Sequence, residues 1–455
     1  MRFGSFKEIL KHYSNNQNPA LVFDKKNAKE SMSYAELLSL VEAREIELKN
    51  ANKTSIGVFC APTPECIATI FAAASQKMQI VMLDESIADE NIIRQIKAAD
   101  VDMLFADDKQ TEEDFAEYLT PGVEKNADRM LFFTSGTTSS SKAVVLTERS
   151  LCASAFNGSA KLPLTSSDTL LCLLPLAHVF GFICSMLWGL SCGATVALSR
   201  GARYVPFDMA YFEPTAVSVV PMLLGFMLKE RLLNANLKTI LVGAGDCPQP
   251  ILDGAAAMGK RVCFGYGLTE TSSGVAISVS GDPHAMEICP DDKITIAEDG
   301  EILIYAPTCI MQGYYKDEKS TLDALKGGIL HSGDLGFIDD EGKLHITGRK
   351  KEMLVLPSGT KIFLPEYEGR LVAALGNPEL AVILLNDRPA LVIKATQEMQ
   401  EGIKQKLAGV MRELPRAEQL SNIIFTDKPL PRTATGKIKR WEIQQLEEQK
   451  NGKND

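Results

Sequence analysis

Several large classes of protein are excluded by what this sequence lacks. It has no basic excess: the formal net charge is -10, and its densest basic spots, Arg349-Lys-Lys351 and Lys437-Ile-Lys-Arg440, are short. A nucleic-acid partner is therefore not expected, because its phosphates would be repelled. No apolar run approaches the roughly 18 residues of a membrane-spanning helix. The opening Met1-Arg-Phe-Gly-Ser-Phe-Lys-Glu-Ile-Leu10 is too charged for a signal peptide. A cytoplasmic chain with no transmembrane segment is the expectation. The ten cysteines are scattered, without C-x-x-C or a cysteine–histidine pair at zinc spacing, so reduced thiols are expected. Internal repeats and the G-x-S-x-G of an esterase are also missing. Gly243-Ala-Gly245 and Gly265-Tyr-Gly267 each follow a short apolar run. Pro248 and Glu270 stand where a dinucleotide fingerprint needs its third glycine.

The 455 residues, 45% hydrophobic and 23% charged, are enough for two or more globular domains. From Ala20 to Phe105 short apolar strands alternate with helical stretches, including Pro64 to Ala74, which opens with proline. Such alternation predicts right-handed crossovers and a mostly parallel sheet. Residues 107–128 read as a polar connection. Strands and helices then resume between Leu170 and Phe264, with a helix from Phe180 to Leu190 and a strand from Val262 to Phe264. Lys293 to Ala297 and Glu301 to Tyr305, with Asp299-Gly300 between them, predict a hairpin. A second follows at Gly336 to Ile346. From Lys351 a small α+β unit is readable, and beyond Trp441 a charged helix fades into a polar tail expected to be disordered.

The stretch with most chemistry is Leu131-Phe-Phe-Thr-Ser-Gly-Thr-Thr-Ser-Ser-Ser-Lys-Ala-Val-Val145. An apolar strand feeds a run of hydroxyl side chains, a glycine and a lysine, which are what a polyphosphate needs from a loop. It is not a Walker A loop: Ser141 replaces the second glycine and Ala143 the magnesium-binding hydroxyl. It resembles instead the T-S-G-T-T-G-x-P-K-G loop of the adenylate-forming superfamily, matching at Thr134, Ser135, Gly136, Thr137, Thr138 and Lys142. Ser139, Ser141 and Ala143 depart from that pattern. Four further stretches resemble the superfamily's signatures in the same order: Gly265-Tyr-Gly-Leu-Thr-Glu-Thr271, His331-Ser-Gly-Asp-Leu-Gly336, Thr347-Gly-Arg-Lys-Lys-Glu-Met353 and Pro431-Arg-Thr-Ala-Thr-Gly-Lys437. Pro175-Leu-Ala-His-Val-Phe-Gly181 is similar to an element of its acyl-CoA synthetase branch, whereas the F-D-x-S of peptide-synthetase adenylation domains is not found.

That resemblance implies a fold, a reaction and roles for particular residues. The fold is α/β: residues 1–350 hold parallel-sheet α/β subdomains and a small antiparallel barrel, and a small, mobile α+β domain spans 351–455. The activity is that of an AMP-forming acyl-CoA synthetase, acting on a carboxylic acid, fatty or aryl with a fatty one favoured, with ATP, Mg²⁺ and coenzyme A. The hydroxyl loop and Lys142 would hold the phosphates, with Gly243, Ala244 and Gly245 also at the ATP site. Tyr266 would stack on adenine, Thr269 serve the α-phosphate and Glu270 bind Mg²⁺. Asp334 would take the ribose hydroxyls and Arg349 reach the nucleotide. Lys437 would bridge the reacting carboxylate and the α-phosphate, and Lys351 would be the hinge. His178 would border the acyl channel beside Val220, Met222 and Gly274, and Gly359 the pantetheine path. Two rivals stand beside this reading: an acyl-AMP ligase loading an acyl carrier protein, and a non-catalytic nucleotide-binding relative.

Overall fold

In the computed structural model, residues 1–134, 141–245, 247–279, 282, 284–357, 360–416, 418–432 and 438–451 are described. They divide into two compact units. One comprises Met1–Thr134, Lys142–Ser332 and Gly336–Ile346; the other comprises the described residues from Thr347 onward, with Gly333–Leu335.

The first unit is built on two large mixed sheets. The six-stranded sheet is parallel at its centre, where Ser55–Phe59, Gln79–Leu83, Met103–Phe105 and Arg129–Phe133 run together. Ala143–Leu146 then folds back antiparallel on Arg129–Phe133, and Gly313–Tyr314 adds antiparallel beyond it. The nine-stranded sheet likewise has a parallel interior and antiparallel flanks. The sequence expectation of a mostly parallel sheet therefore holds for the interiors and for the Met103–Phe105 edge, and fails at the other edges. A strand that returns after only a few residues pairs antiparallel, because a parallel crossover needs a dozen or more residues.

Helix Pro64–Ser75 is packed into the core. Thr63 caps it by accepting from the Cys66 N–H, and Pro64 starts it where no intrahelical donor is needed. Its residues from Cys66 to Ala74 are all buried, as an apolar helix without a polar face requires. Helix Tyr34–Ala51 opens with a reciprocal capping box between Ser33 and Glu36. The Asp-Gly hairpin forms as expected: Ala297 N–H donates to Glu301 O and Gly300 takes φ +89°. It belongs to a five-stranded sheet with Ile329–Ile338 and Leu344–Arg349.

The structure corrects the sequence reading at several elements. The 107–128 segment contains helix Lys109–Phe115, capped by Asp108 and anchored by buried Phe115; its acidic surface hid the helix. The stretch read as one helix from Phe180 begins as wide π turns over Gly181–Leu187. There Gly181 lies so close to Pro175 O that a Cβ would sit 2.0 Å from it. The strand read as ending at Phe264 continues to Leu268, through both glycines of Gly265-Tyr-Gly267. Helices Glu148–Lys161, Val205–Phe212 and Gln249–Ala257 were not anticipated. At the chain's end, helix Arg440–Asn451 includes Lys450 of the tail expected to be disordered.

In the second unit, Leu380–Leu385 pairs antiparallel with Arg388–Lys394, which pairs parallel with Asn422–Thr426. Helices Leu364–Leu375 and Gln397–Glu413 contribute to its apolar core through Leu371, Leu375, Ile403 and Leu407. Glu368, 9% exposed, accepts from Val382 N–H at 2.7 Å and pairs with the Arg440 guanidinium.

Candidate active site

The hydroxyl loop leaves and re-enters the six-stranded sheet through one closed stem. Thr134 N–H donates to Lys142 O at 2.9 Å, and Lys142 N–H donates to Thr134 Oγ1 at 3.2 Å. Residues 135–140 lie outside the described residues, so the expectations for Ser135, Gly136, Thr137 and Thr138 are not described structurally; the same holds for Gly359 and Lys437.

Lys142 points toward an aromatic ring that the sequence reading did not single out. Its Nζ lies 4.5 Å from the centroid of Tyr314, a cation–π contact. The Tyr314 hydroxyl donates to Glu270 Oε1 at 2.7 Å. The backbone fixes this grouping. Tyr314 is paired with Val144, Gln312 N–H donates to Val145 O and Tyr315 N–H donates to Ala143 O. One step earlier, Met311 N–H donates to the carbonyl of Glu270 itself at 2.8 Å. The short segment 311–315 is thus stitched to both the strand after the hydroxyl loop and the turn carrying Glu270. Burial, followed by the charge and hydrogen bond of Glu270, pushes the Tyr314 phenol well above its ordinary range. It therefore stays protonated and acts as a hydrogen-bond donor across the physiological range.

The Glu270 turn, Thr269–Thr271, follows a close approach of two backbone strands. At the register shift between Tyr266 and Gly267, a Cβ on Gly267 would lie 1.7 Å from Ser273 O, so glycine is required. Just after the turn, Ser272 and Ser273 both adopt positive φ, 50° and 96°. Such conformations cost about 1–3 kcal/mol each and cluster at functional sites. Hydrogen bonds compensate: Ser272 Oγ donates to Cys309 O at 2.7 Å and Thr271 Oγ1 to Ser273 O at 2.8 Å. Tyr266 is buried on the preceding strand, 8% exposed.

Gly243-Ala-Gly245 follows the adjacent parallel strand, Thr239–Val242. Ala244 takes φ +62°, unusual without glycine, and the backbone at Gly243 lies against the Phe180 ring. His178 is brought to Asp84, with Nε2 and Oδ2 at 3.2 Å. Burial opposes ionisation of Asp84, but hydrogen bonds from His178 and Ser86 outweigh it and hold the carboxyl down at about 2. Asp334 and Arg349, expected separately at the nucleotide, pair with each other: Arg349 Nε to Asp334 Oδ1 is 2.9 Å. Asp334 is 3% exposed. Lys351 lies in the short 3₁₀ turn Lys350–Glu352.

The structure therefore brings Thr134, Lys142 and Glu270 into one connected arrangement through Tyr314. His178 and Asp84 form a separate pair, as do Asp334 and Arg349. Tyr314 and Asp84 were missed because their partners are remote in sequence. The available signal was the Gln312-Gly-Tyr-Tyr315 run, aromatic and glycine-bearing within a polar stretch.

The donor set fits a magnesium–nucleotide. Among the described residues no cluster of three His, Cys, Asp or Glu side chains could cage a metal ion. A single carboxylate beside a lysine suits Mg²⁺, which keeps its waters and leans on phosphate oxygens.

Comparisons with known proteins agree. The chain is 29% identical to the 2-succinylbenzoate–CoA ligase of Bacillus cytotoxicus, covering 89% of this chain and 90% of that one. In fold it is similar to the Bacillus subtilis O-succinylbenzoate coenzyme A synthetase bound to AMP, with TM-score 0.79, 21% identity and coverage of 96% and 97%. The structure of that enzyme with ATP and magnesium gives TM-score 0.77 at 22% identity, covering 96% and 99%. Residues 11–315 match the family model for AMP-binding enzymes; the chain belongs to this adenylate-forming family, whose members include the acid–thiol ligases to which it is similar.

Proposed function

We propose that this chain is an AMP-forming acid–thiol ligase that joins an aromatic carboxylic acid to coenzyme A. The observation that carries the reading is Lys142 and Glu270 held at one phenol ring, beside the closed stem of the hydroxyl loop. An ammonium and a carboxylate so placed suit, respectively, phosphate oxygens and their magnesium ion. The sequence reading favoured a fatty acid over an aryl one. We favour an aromatic one, because the similar curated enzyme is named for 2-succinylbenzoate.

In the first half-reaction an oxygen of the acid's carboxylate bonds to the α-phosphorus of ATP and pyrophosphate leaves. Mg²⁺ supplies charge neutralisation for the phosphates when bound. Lys142 and the loop hydroxyls orient the phosphates, Tyr266 stacks on the base, and Thr269 contacts the α-phosphate. Asp334 and Arg349 exchange their mutual pair for the nucleotide, the carboxylate taking the ribose hydroxyls. Lys437 supplies positive charge where it develops. In the second half-reaction the thiol of coenzyme A attacks the acyl carbon, loses its proton and displaces AMP. His178, oriented by Asp84, borders the acyl group, Gly359 lies along the pantetheine path, and Lys351 is the pivot between the two tasks.

Pyrophosphate release should be measured across aromatic and fatty acids, with and without coenzyme A. Release dependent on an aromatic acid, followed by AMP formation on adding coenzyme A, is the expected result. Turnover with fatty acids alone would overturn the acid class, and no release with any acid would overturn the ligase reading.

A further inference from the structure

Tyr314 contacts two charged side chains of the site proposed above. Its hydroxyl donates to Glu270 Oε1 and its ring face carries Lys142 Nζ, so the carboxylate and the ammonium lie within the span of one phenol. The tyrosine cannot move independently of either neighbour. Tyr314 N–H donates to Thr321 Oγ1 at 2.9 Å, its strand pairs with Val144, and Met311 in the same segment donates to the Glu270 carbonyl.

We propose that Tyr314 is a positioning residue. Its hydroxyl fixes Glu270 in the orientation that receives magnesium, while its ring keeps Lys142 directed at phosphate. Only one oxygen of Glu270 is engaged by the phenol, which leaves Oε2 for the metal ion. This is how outer-sphere partners ordinarily orient metal-binding carboxylates, and their removal costs roughly 10–100-fold in metal affinity. The inference rests on the assignment of Glu270 to magnesium in the proposed function.

The test is ATP affinity measured calorimetrically without an acid substrate, once in excess Mg²⁺ and once in EDTA. In the wild-type chain Mg²⁺ should strengthen ATP binding. Tyr314→Phe keeps the ring and removes the hydroxyl, so it should cut that strengthening about tenfold and leave the EDTA affinity unchanged. Tyr314→Leu, which also removes the ring, should weaken ATP in EDTA as well. Glu270→Gln should behave like Tyr314→Phe, and combining the two should cost no more than either alone. If Glu270→Gln loses the magnesium effect but Tyr314→Phe retains it, this inference is overturned and the assignment of Glu270 survives. Equal weakening by Tyr314→Phe with and without magnesium would mean a general structural role and also overturn it. A wild-type chain whose ATP affinity ignores magnesium would overturn both readings.

Discussion

Replacing Asp292 with asparagine should stabilise the protein at alkaline pH and leave it unchanged in acid. Asp292 is linked to the segment that supports the Glu270 turn: Asn157 Nδ2 donates to Asp292 Oδ2 at 3.2 Å and contacts Cys309 Sγ. Asp292 Oδ1 is buried with no hydrogen-bond partner among the described residues. Burial, and then the adjacent Asp291 charge, push the carboxyl up from 3.8 to about 7. Because the folded value exceeds the unfolded one, the associated stability is full below pH ~4 and is lost as pH rises through ~7. At 1.36 kcal/mol per unit, a three-unit shift sets a ceiling of about 4 kcal/mol, and relaxation toward water lowers it to about 2. Asparagine keeps the shape without the charge. Urea unfolding of both proteins at intervals from pH 4 to pH 8 should show their difference growing from near zero to about 2–4 kcal/mol. A difference that stays constant across this range would refute the argument.

Three further outcomes are expected. Gly267→Ala forces a Cβ onto Ser273 O, a backbone atom that cannot turn away; it should cost about 1–3 kcal/mol in thermal unfolding and weaken ATP binding. Arg440→Ala leaves the buried Glu368 charge without its guanidinium and should destabilise the second unit by about 3–5 kcal/mol in denaturant; adding Glu368→Gln should recover part of the loss. Lys437→Ala should lower acid-dependent pyrophosphate release about 10²–10³-fold while thioester formation from supplied acyl-AMP continues, and normal ATP-dependent turnover would discount the lysine.

The order of the site segments was legible because each is contiguous and carries its chemistry locally, as in Thr269-Glu270 or Gly333-Asp334. The contacts that complete them were not. Tyr314 reaches Glu270, and Asp84 reaches His178, only because strand order brings distant segments together. Helix Glu148–Lys161 escaped a periodicity argument because Ser150, Ser154 and Asn157 are among the residues it buries. Polar side chains inside carry no apolar stripe. The Asp-Gly hairpin and helix Pro64–Ser75 were readable for the opposite reason: turn chemistry and a proline start act within a few residues.

The paired hydrogen bonds between Thr134 and Lys142 close the stem of the hydroxyl loop. Both ends of the hydroxyl loop are clasped by one antiparallel strand pair, whose register is set by Met130, Leu131 and Phe132 against Val144, Val145 and Leu146. The frame is thereby fixed by residues that flank the loop, and none of positions 135–140 takes part in the strand pairing that sets it.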